Sequence, residues 1–537
     1  MTLLYVCFLV VKIFFSYQPL NVENKNGVAE YIFKSINQLE ENNTIKLKKQ
    51  KIVRNSTIIK LYKENDYQPL WNEPKNRADL IDVLEEAYYE GLNPNDYHID
   101  FIKQYNHSEF YRQSDKNKAK ADIIMTNAAL SFALHMLQGK LQPRALSPSW
   151  NYTQRPLPNS IEFRLMYRLN TQTLKEEVRK IRSDLPLYNN LRKWFIKLDS
   201  IKNRRIEFNP VLYSDQPLKL GDASPMVGEL KRYLGIPLNN TDIAYLNTFD
   251  KNLQFYVKEF QTQNGLKADG IVGENTFEML NTSVDQKMDI VRVNMERCRW
   301  LKNEPYEDVM VVNIADFNLY YLKDQKLFYN TKVVVGQLHQ QTPVFESAIK
   351  YLVLNPTWVV PFSISTKEIL PIIQNDITYL DRNEMFLSIK DSIVDYCQID
   401  FNDYTENNFP FVITQEAGLK NPLGLVKFIF PNEHAVYLHD TPAKKFFEET
   451  KRTFSHGCVR VEHALDLAEL LLEKEGYNRA TMDSLLLTKQ THKIYLSQPL
   501  TVMLMYWTCY ESNGKLFFFK DIYNRDAKIL AALNASY

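Results

Sequence analysis

Ser455-His456-Gly457-Cys458-Val459-Arg460 runs directly into Val461-Glu462-His463-Ala464-Leu465-Asp466-Leu467-Ala468-Glu469-Leu470-Leu471-Leu472. The apolar positions Ala464, Leu465, Ala468, Leu471 and Leu472 fall at helical spacing, which predicts a thiol on a tight turn just ahead of a helix. Free cysteine has a pKa near ~8.5, so little thiolate exists at neutral pH unless an imidazole or an aimed peptide dipole stabilises it. The positive end of the helix and a neighbouring histidine are both expected to do so. Gly457 permits the turn, and the Gly457 and Cys458 amides are candidates to face an oxyanion forming on an attacked carbonyl.

Upstream, Ala435-Val436-Tyr437-Leu438-His439 reads as a short strand that brings a histidine to a sheet edge, followed by the turn signal Asp440-Thr441-Pro442. His439, 19 residues before Cys458, is the candidate general base. His456 ranks second, because on a tight turn its ring need not face a sulfur two residues later. Together these residues predict acyl transfer through a cysteine thioester.

The segments Asn421-Pro422-Leu423-Gly424, Lys427-Phe428, Tyr437-Leu438-His439-Asp440-Thr441-Pro442 and Ser455 to Arg460 resemble the L,D-transpeptidase catalytic domain. Val335-Gly336, Thr342-Pro343 and Asn355-Pro356-Thr357-Trp358-Val359-Val360-Pro361 resemble that family in order and spacing. The likeness extends to its long, scaffold-bearing periplasmic class with a peptidoglycan-binding module. It implies a multidomain α+β chain, in which a mostly-β catalytic domain with a capping insertion joins a helical scaffold and a three-helix peptidoglycan-binding-like unit.

The resemblance also implies a reaction. Cys458 would attack the carbonyl of the third stem residue of peptidoglycan, usually a diamino acid, and expel the terminal D-alanine. An amine of a neighbouring stem would then take the acyl group to form a 3-3 cross-link. Water as acceptor would make the protein an L,D-carboxypeptidase, and a non-catalytic peptidoglycan-binding protein is the other alternative. By the same resemblance the Asp440 carbonyl orients His439, and Tyr437 and Trp358 line substrate clefts. Ser455, His456 and Arg460 stand on the substrate side, Arg460 either clamping a stem carboxylate or pairing with a buried acid. No cofactor is implied, carbapenem-type β-lactams are expected covalent inhibitors, and the expected location is the periplasm of a Gram-negative-type bacterium.

Composition bounds these readings. The 537 residues are 45% hydrophobic, enough for several cores, and 65 basic against 64 acidic residues leave a net charge of +1. So even a balance gives no pull toward nucleic acid. Cys7, Cys298, Cys397, Cys458 and Cys509 are too scattered for a disulfide framework. Cys298, Cys397 and Cys509 read as core residues. His434, His439, His456, Cys458 and His463 lack the spacing of a zinc site, so no metal is expected.

The apolar start from Thr2 to Ser16 is shorter than the ~20 residues that span a bilayer, is interrupted by Lys12 and has neither a basic leader nor a clear cleavage site. Residues 1-20 are read as a signal peptide or a membrane anchor, with a buried strand as the alternative. Residues 21-210 read as the helical scaffold, with Leu80, Val83, Leu84, Ala87 and Tyr88 on one helix face. His98, His107 and His135 there are isolated and read as packed or solvated. Residues 211-283 form the peptidoglycan-binding-like unit, where Ser224-Pro225 caps one helix and Leu253, Tyr256, Val257 and Phe260 stripe a second. The alternative there is a mere helical spacer.

Residues 284-500 form the catalytic domain, with strands expected at 309–314, 318–322, 327–329, 332–335, 351–354, 426–430 and 435–438. Strand patterning fails across the capping insertion at about 367-420, whose length and place suggest a lid. Residues 501-537 suggest a closing hairpin and helix of undetermined docking.

Overall fold

The computed structural model describes residues 27–43, 46–47, 50–52, 55–105, 112–156, 161–203, 216–237, 243–302, 306–390 and 392–535. The expectations for residues 1-20, for Cys7 and for His107 lie outside these residues. No helix among those described is long and apolar enough to cross a membrane.

Four hydrophobic clusters divide the chain, and they do so by packing rather than by sequence order. One joins the helices of the scaffold, from Ile32 through Ile181, and includes Leu80, Val83, Leu84 and Ala87 as their helical spacing predicts. His135 is buried there, its Nδ1 2.9 Å from the Tyr97 hydroxyl, and burial holds the His98 imidazole below its usual range. The peptidoglycan-binding-like unit has its own small core around Val227, Leu253, Val257 and Phe277. Its first helix, Pro225–Tyr233, starts where Ser224 accepts the Met226 amide, and its helix Lys251–Gln263 where Asp250 accepts the Leu253 amide.

The largest cluster belongs to a nine-stranded sheet. Its strands and those of the cap are β1 (Asp308–Asn313), β2 (Asn318–Lys323), β3 (Lys326–Gly336), β4 (Phe345–Leu354), β5 (Trp358–Val359), β6 (Met385–Ile389), β7 (Ser392–Val394), β8 (Val412–Gln415), β9 (Val426–Ile429), β10 (Leu438–His439), β11 (Thr453–Ser455), β12 (Val459–Val461) and β13 (His492–Met505). The order in the large sheet is β11-β3-β12-β10-β9-β4-β13-β1-β2, and β2 pairs again with β3, so the sheet curls round on itself. The β10–β12 and β13–β1 pairs are parallel, while β9 is antiparallel to both β10 and β4.

Several expectations change. The expected strands at 327–329 and 332–335 are one strand, β3. The expected strand 435–438 shrinks to β10 because Ala435 sits at φ 52, which breaks extended geometry. The proposed boundary between 500 and 501 falls inside β13, which runs through the sheet between β4 and β1. Residues after it complete the same core. The hairpin Cys509–Ser512 and Lys515–Phe518 and the helix Asp526–Asn534 contribute Cys509, Leu516, Phe518, Ile529 and Leu533. At the other end, the helix Pro186–Asn203 packs on Val284–Arg299 and on this core, not on the scaffold cluster.

The capping insertion departs most from its reading. It contains strands, with β5-β8-β6-β7 forming a separate four-stranded sheet that begins at Trp358 rather than near 367. Its core joins Val360, Ile369, Leu380, Leu387, Phe401 and Ile413. Its strands are short and interleaved with single helical turns, so no run of alternation is long enough to stand out. Cys397 is exposed there, against the expectation of a core cysteine, whereas Cys298 and Cys509 are buried.

Candidate active site

Pairing register sets the site. One row across the sheet aligns Lys493 of β13, Val353 of β4, Lys427 of β9, His439 of β10, Arg460 of β12 and Val334 of β3. Side chains alternate between faces along a strand, so this row shares one face. The neighbouring row, Ile494, Leu352, Phe428, Leu438 and Val459, turns to the other face and is buried in the main core. Cys458 lies two residues before Arg460 and Tyr437 two before His439, which puts both on the polar face.

The nucleophile turn is tightly fastened. The Ser455 hydroxyl donates to the Cys458 carbonyl at 2.5 Å and accepts the Gly457 amide at 3.2 Å. Thr342 Oγ1 donates to the Gly457 carbonyl at 2.9 Å and accepts the Gly336 amide at 2.9 Å. Tyr523, from the C-terminal segment, donates its hydroxyl to the Gly336 carbonyl at 2.6 Å and accepts the Thr342 amide at 3.2 Å. Gly457 sits at φ +114, a backbone region that side-chain-bearing residues rarely enter. At Gly336 a Cβ would lie 2.1 Å from the Gln340 carbonyl oxygen, so only glycine fits there.

These contacts revise two expectations. The Gly457 amide is spent on Ser455, so it does not face an oxyanion. The strand β12 separates Cys458 from the helix, which spans Ala464–Leu472, so the thiol does not sit at the helix's positive end. On that helix Leu467, not Leu465, joins Ala464, Ala468, Leu471 and Leu472 in the buried stripe.

His439 is 5% exposed, and its Nδ1 donates to the Asp440 carbonyl at 2.5 Å. That bond puts the ring proton on Nδ1 and leaves Nε2 as the basic nitrogen of the neutral ring. Burial pushes the His439 pKa down to about 3, the Arg460 and Lys427 charges add to this, and the Asp440 and Pro422 carbonyls oppose it. Burial also raises the Cys458 thiol, opposed by the Tyr437 amide and hydroxyl and by the charges of Arg460 and Lys427. The pair therefore rests as thiol and neutral imidazole. The expected resting thiolate is not favoured, because partial burial of the side chain outweighs the nearby amide, hydroxyl and charges. Its S–H points to the Ala435 carbonyl at 3.9 Å, and among the described residues it makes no hydrogen bond to His439.

The other predicted residues divide. Tyr437 stacks edge-on against His439, with ring centroids 5.6 Å apart. Arg460 holds its charge 6.0 Å from the Phe446 ring centre, and its buried Nε has no hydrogen-bond partner. His456 turns to the cap, with Nε2 2.7 Å from Glu368 Oε1. Trp358 opens the cap sheet and packs on the cap core. The Asp440 carboxylate accepts the Leu425 amide at 2.9 Å and pairs with Lys444 at 2.5 Å, tying the end of β10 to the loop before β9. Sequence reasoning gave no role to Thr342, Tyr523, Glu368, Lys444 or Lys427. Thr342 and Lys427 were visible only as members of quoted motifs, and Tyr523 carries no local signal.

Residues 307–480, which hold this whole arrangement apart from the C-terminal buttress, match the family model of the L,D-transpeptidase catalytic domain. Residues 56–194 match a scaffold domain, and residues 224–280 match a domain described as "Putative peptidoglycan binding domain". A Haemophilus influenzae protein named "Putative L,D-transpeptidase" is 32% identical over 255 residues, covering 47% of this chain and 51% of its own length. The chain thus spans about half the length of that relative.

Among solved structures, an L,D-transpeptidase from Xylanimonas cellulosilytica is 14% identical, with 55% of this chain and 99% of that chain covered, at a TM-score of 0.18. One from Stackebrandtia nassauensis is 13% identical, with 55% and 97% covered, at 0.21. The chain is multidomain α+β: a mostly-β unit over residues 307–480 stands beside a helical region matching the scaffold domain and a helical unit matching the peptidoglycan-binding model.

Proposed function

We propose that the chain is a peptidoglycan L,D-transpeptidase working through a Cys458 thioester. The observation that carries this reading is the placement of Cys458 and His439 on one face of adjacent parallel strands, with the His439 proton fixed at Nδ1. A turn of the Cys458 side chain away from Ala435 brings the S–H to His439 Nε2, and such bonds commonly tighten only when substrate is bound. As sulfur attacks the carbonyl of the third stem residue, the proton passes to Nε2. The Cys458 amide and the Tyr437 hydroxyl are the donors available to the developing oxyanion, since the Gly457 amide is occupied.

Collapse of the tetrahedral species breaks the peptide bond. His439 returns the proton to the leaving nitrogen, and D-alanine departs. The amine of a second stem then attacks the thioester, gives its proton to His439 and releases the thiol with a new 3-3 cross-link. The 224–280 unit would hold the protein on the wall, and the reaction would run in the periplasm. A carbapenem would acylate the same sulfur.

Incubation with a disaccharide-tetrapeptide, followed by mass spectrometry, tests this. A cross-linked dimer with one D-alanine lost is the expected product, and Cys458→Ala should make none. Tripeptide alone would mean water is the acceptor. Unchanged substrate, or product from Cys458→Ala, would overturn the reading.

A further inference from the structure

The polar row holds more positive charge than the proposed chemistry uses. Lys427 lies between Val353 and His439 with its Nζ 5.5 Å from the Tyr437 ring centre, and it is half-buried. Among the described residues no carboxylate and no hydrogen-bond acceptor pairs with its ammonium. Arg460, on the other side of His439, likewise has no ion pair, and its buried Nε is unsatisfied. Lys493 adds a third cation two strands away along the same row. The carboxylate next to His439 in sequence, Asp440, is already taken by Leu425 and Lys444.

A buried cation without a counter-ion is costly unless one arrives with a ligand. Two half-buried cations without an ion pair among the described residues flank the imidazole here. Burial and the charge of Lys493 both depress the Lys427 ammonium, while the proximity of Cys458 opposes them, so an incoming anion is the missing partner.

We infer that Lys427, with Arg460 across His439 from it, seats a carboxylate of the stem peptide and fixes the scissile carbonyl over Cys458. This rests on the proposed function for the identity of the peptide. Two carboxylates of a stem could fill the seat, that of the terminal residue about to leave or the free one on the diamino acid. Lys427 is thus a specificity residue rather than a participant in proton transfer.

Binding can be measured without turnover. In full-length protein carrying Cys458→Ala, affinity for the disaccharide-tetrapeptide is read by titration, with and without Lys427→Met, which keeps the apolar stem over Tyr437. The added substitution should weaken binding about tenfold or more. Amidating the responsible carboxylate should weaken binding to the Lys427-bearing protein similarly and have little further effect on Lys427→Met. Which of the two amides shows this non-additivity identifies the carboxylate. Alkylation of Cys458 by iodoacetamide, compared between wild type and Lys427→Met alone, should slow by much less than binding weakens, because Lys427 is only the last of several groups that oppose the rise of the thiol.

Equal affinities with and without Lys427→Met would overturn the inference. So would additive losses for both amides, or slowed alkylation with unchanged affinity, which would make Lys427 a support for the thiolate. Absence of tetrapeptide binding to the Cys458→Ala protein would overturn it too. Failure of the transpeptidase reading shows separately, as lack of product from wild type.

Discussion

The two faces of β9, β10 and β12 are made from alternate residues of the same short strands and do opposite work. Phe428, Leu438 and Val459 turn one way and are fully buried in the main core. Lys427, His439 and Arg460 turn the other way, and two of these three are cations without an ion pair among the described residues. The apolar face supplies the stability that lets the polar face carry groups whose burial is unfavourable. The difference teaches that site geometry here is inherited from pairing register, since a slip of one residue would exchange the two faces.

Substitutions on the two faces should therefore separate chemistry from stability. On the polar face, His439→Gln removes the basic nitrogen and should slow acylation of Cys458 by about a hundredfold to ten-thousandfold while leaving the urea midpoint near that of wild type. Acylation at the wild-type rate would remove His439 from the mechanism. On the core face, Leu438→Ala, one residue earlier, should cost about 2–5 kcal/mol in unfolding free energy while the folded fraction acylates at a near-normal rate. If Leu438→Ala instead destroyed activity in fully folded protein, the division between faces would fail.

A smaller effect concerns pH. His439 is held neutral far below the usual ~6.5 of histidine, so the unfolded chain binds this proton first as pH falls. Its contribution to stability is complete above ~6.5 and is lost as pH drops toward the folded value of about 3. Between pH 6.5 and 5 the wild-type unfolding free energy should fall more steeply than that of His439→Gln, by at most about 1.4 kcal/mol per pH unit. Parallel curves would mean that the imidazole is already solvated in the fold.

Much of this molecule was legible from local pattern. The cap at Ser224, most of the stripe on the helix after Cys458 and the strands at 309–314, 318–322 and 426–430 all depend on near neighbours in sequence, and the structure follows them closely. What escaped depends on distant partners. Nothing in the segment after Met505 announces that Tyr523 will brace Gly336 and Thr342 behind the nucleophile turn. Nothing near Ser455 announces that its hydroxyl will occupy the Gly457 amide, or that burial will keep Cys458 a thiol. The cap sheet was missed because β5, two residues long, finds its partner β8 across more than fifty residues. His439 and Cys458 could be named from sequence, but their common face appears only once Leu438 is paired with Val459.

The central claim is acyl transfer from the stem to Cys458, whose neutral thiol gives its proton to His439, and the most direct test is intact-protein mass after brief exposure to a tetrapeptide stem. Wild type should gain the mass of the tripeptidyl group on Cys458, with one D-alanine released per adduct, and His439→Gln should accumulate it far more slowly. An adduct on any other residue, or D-alanine release that persists undiminished in Cys458→Ala, would contradict the account.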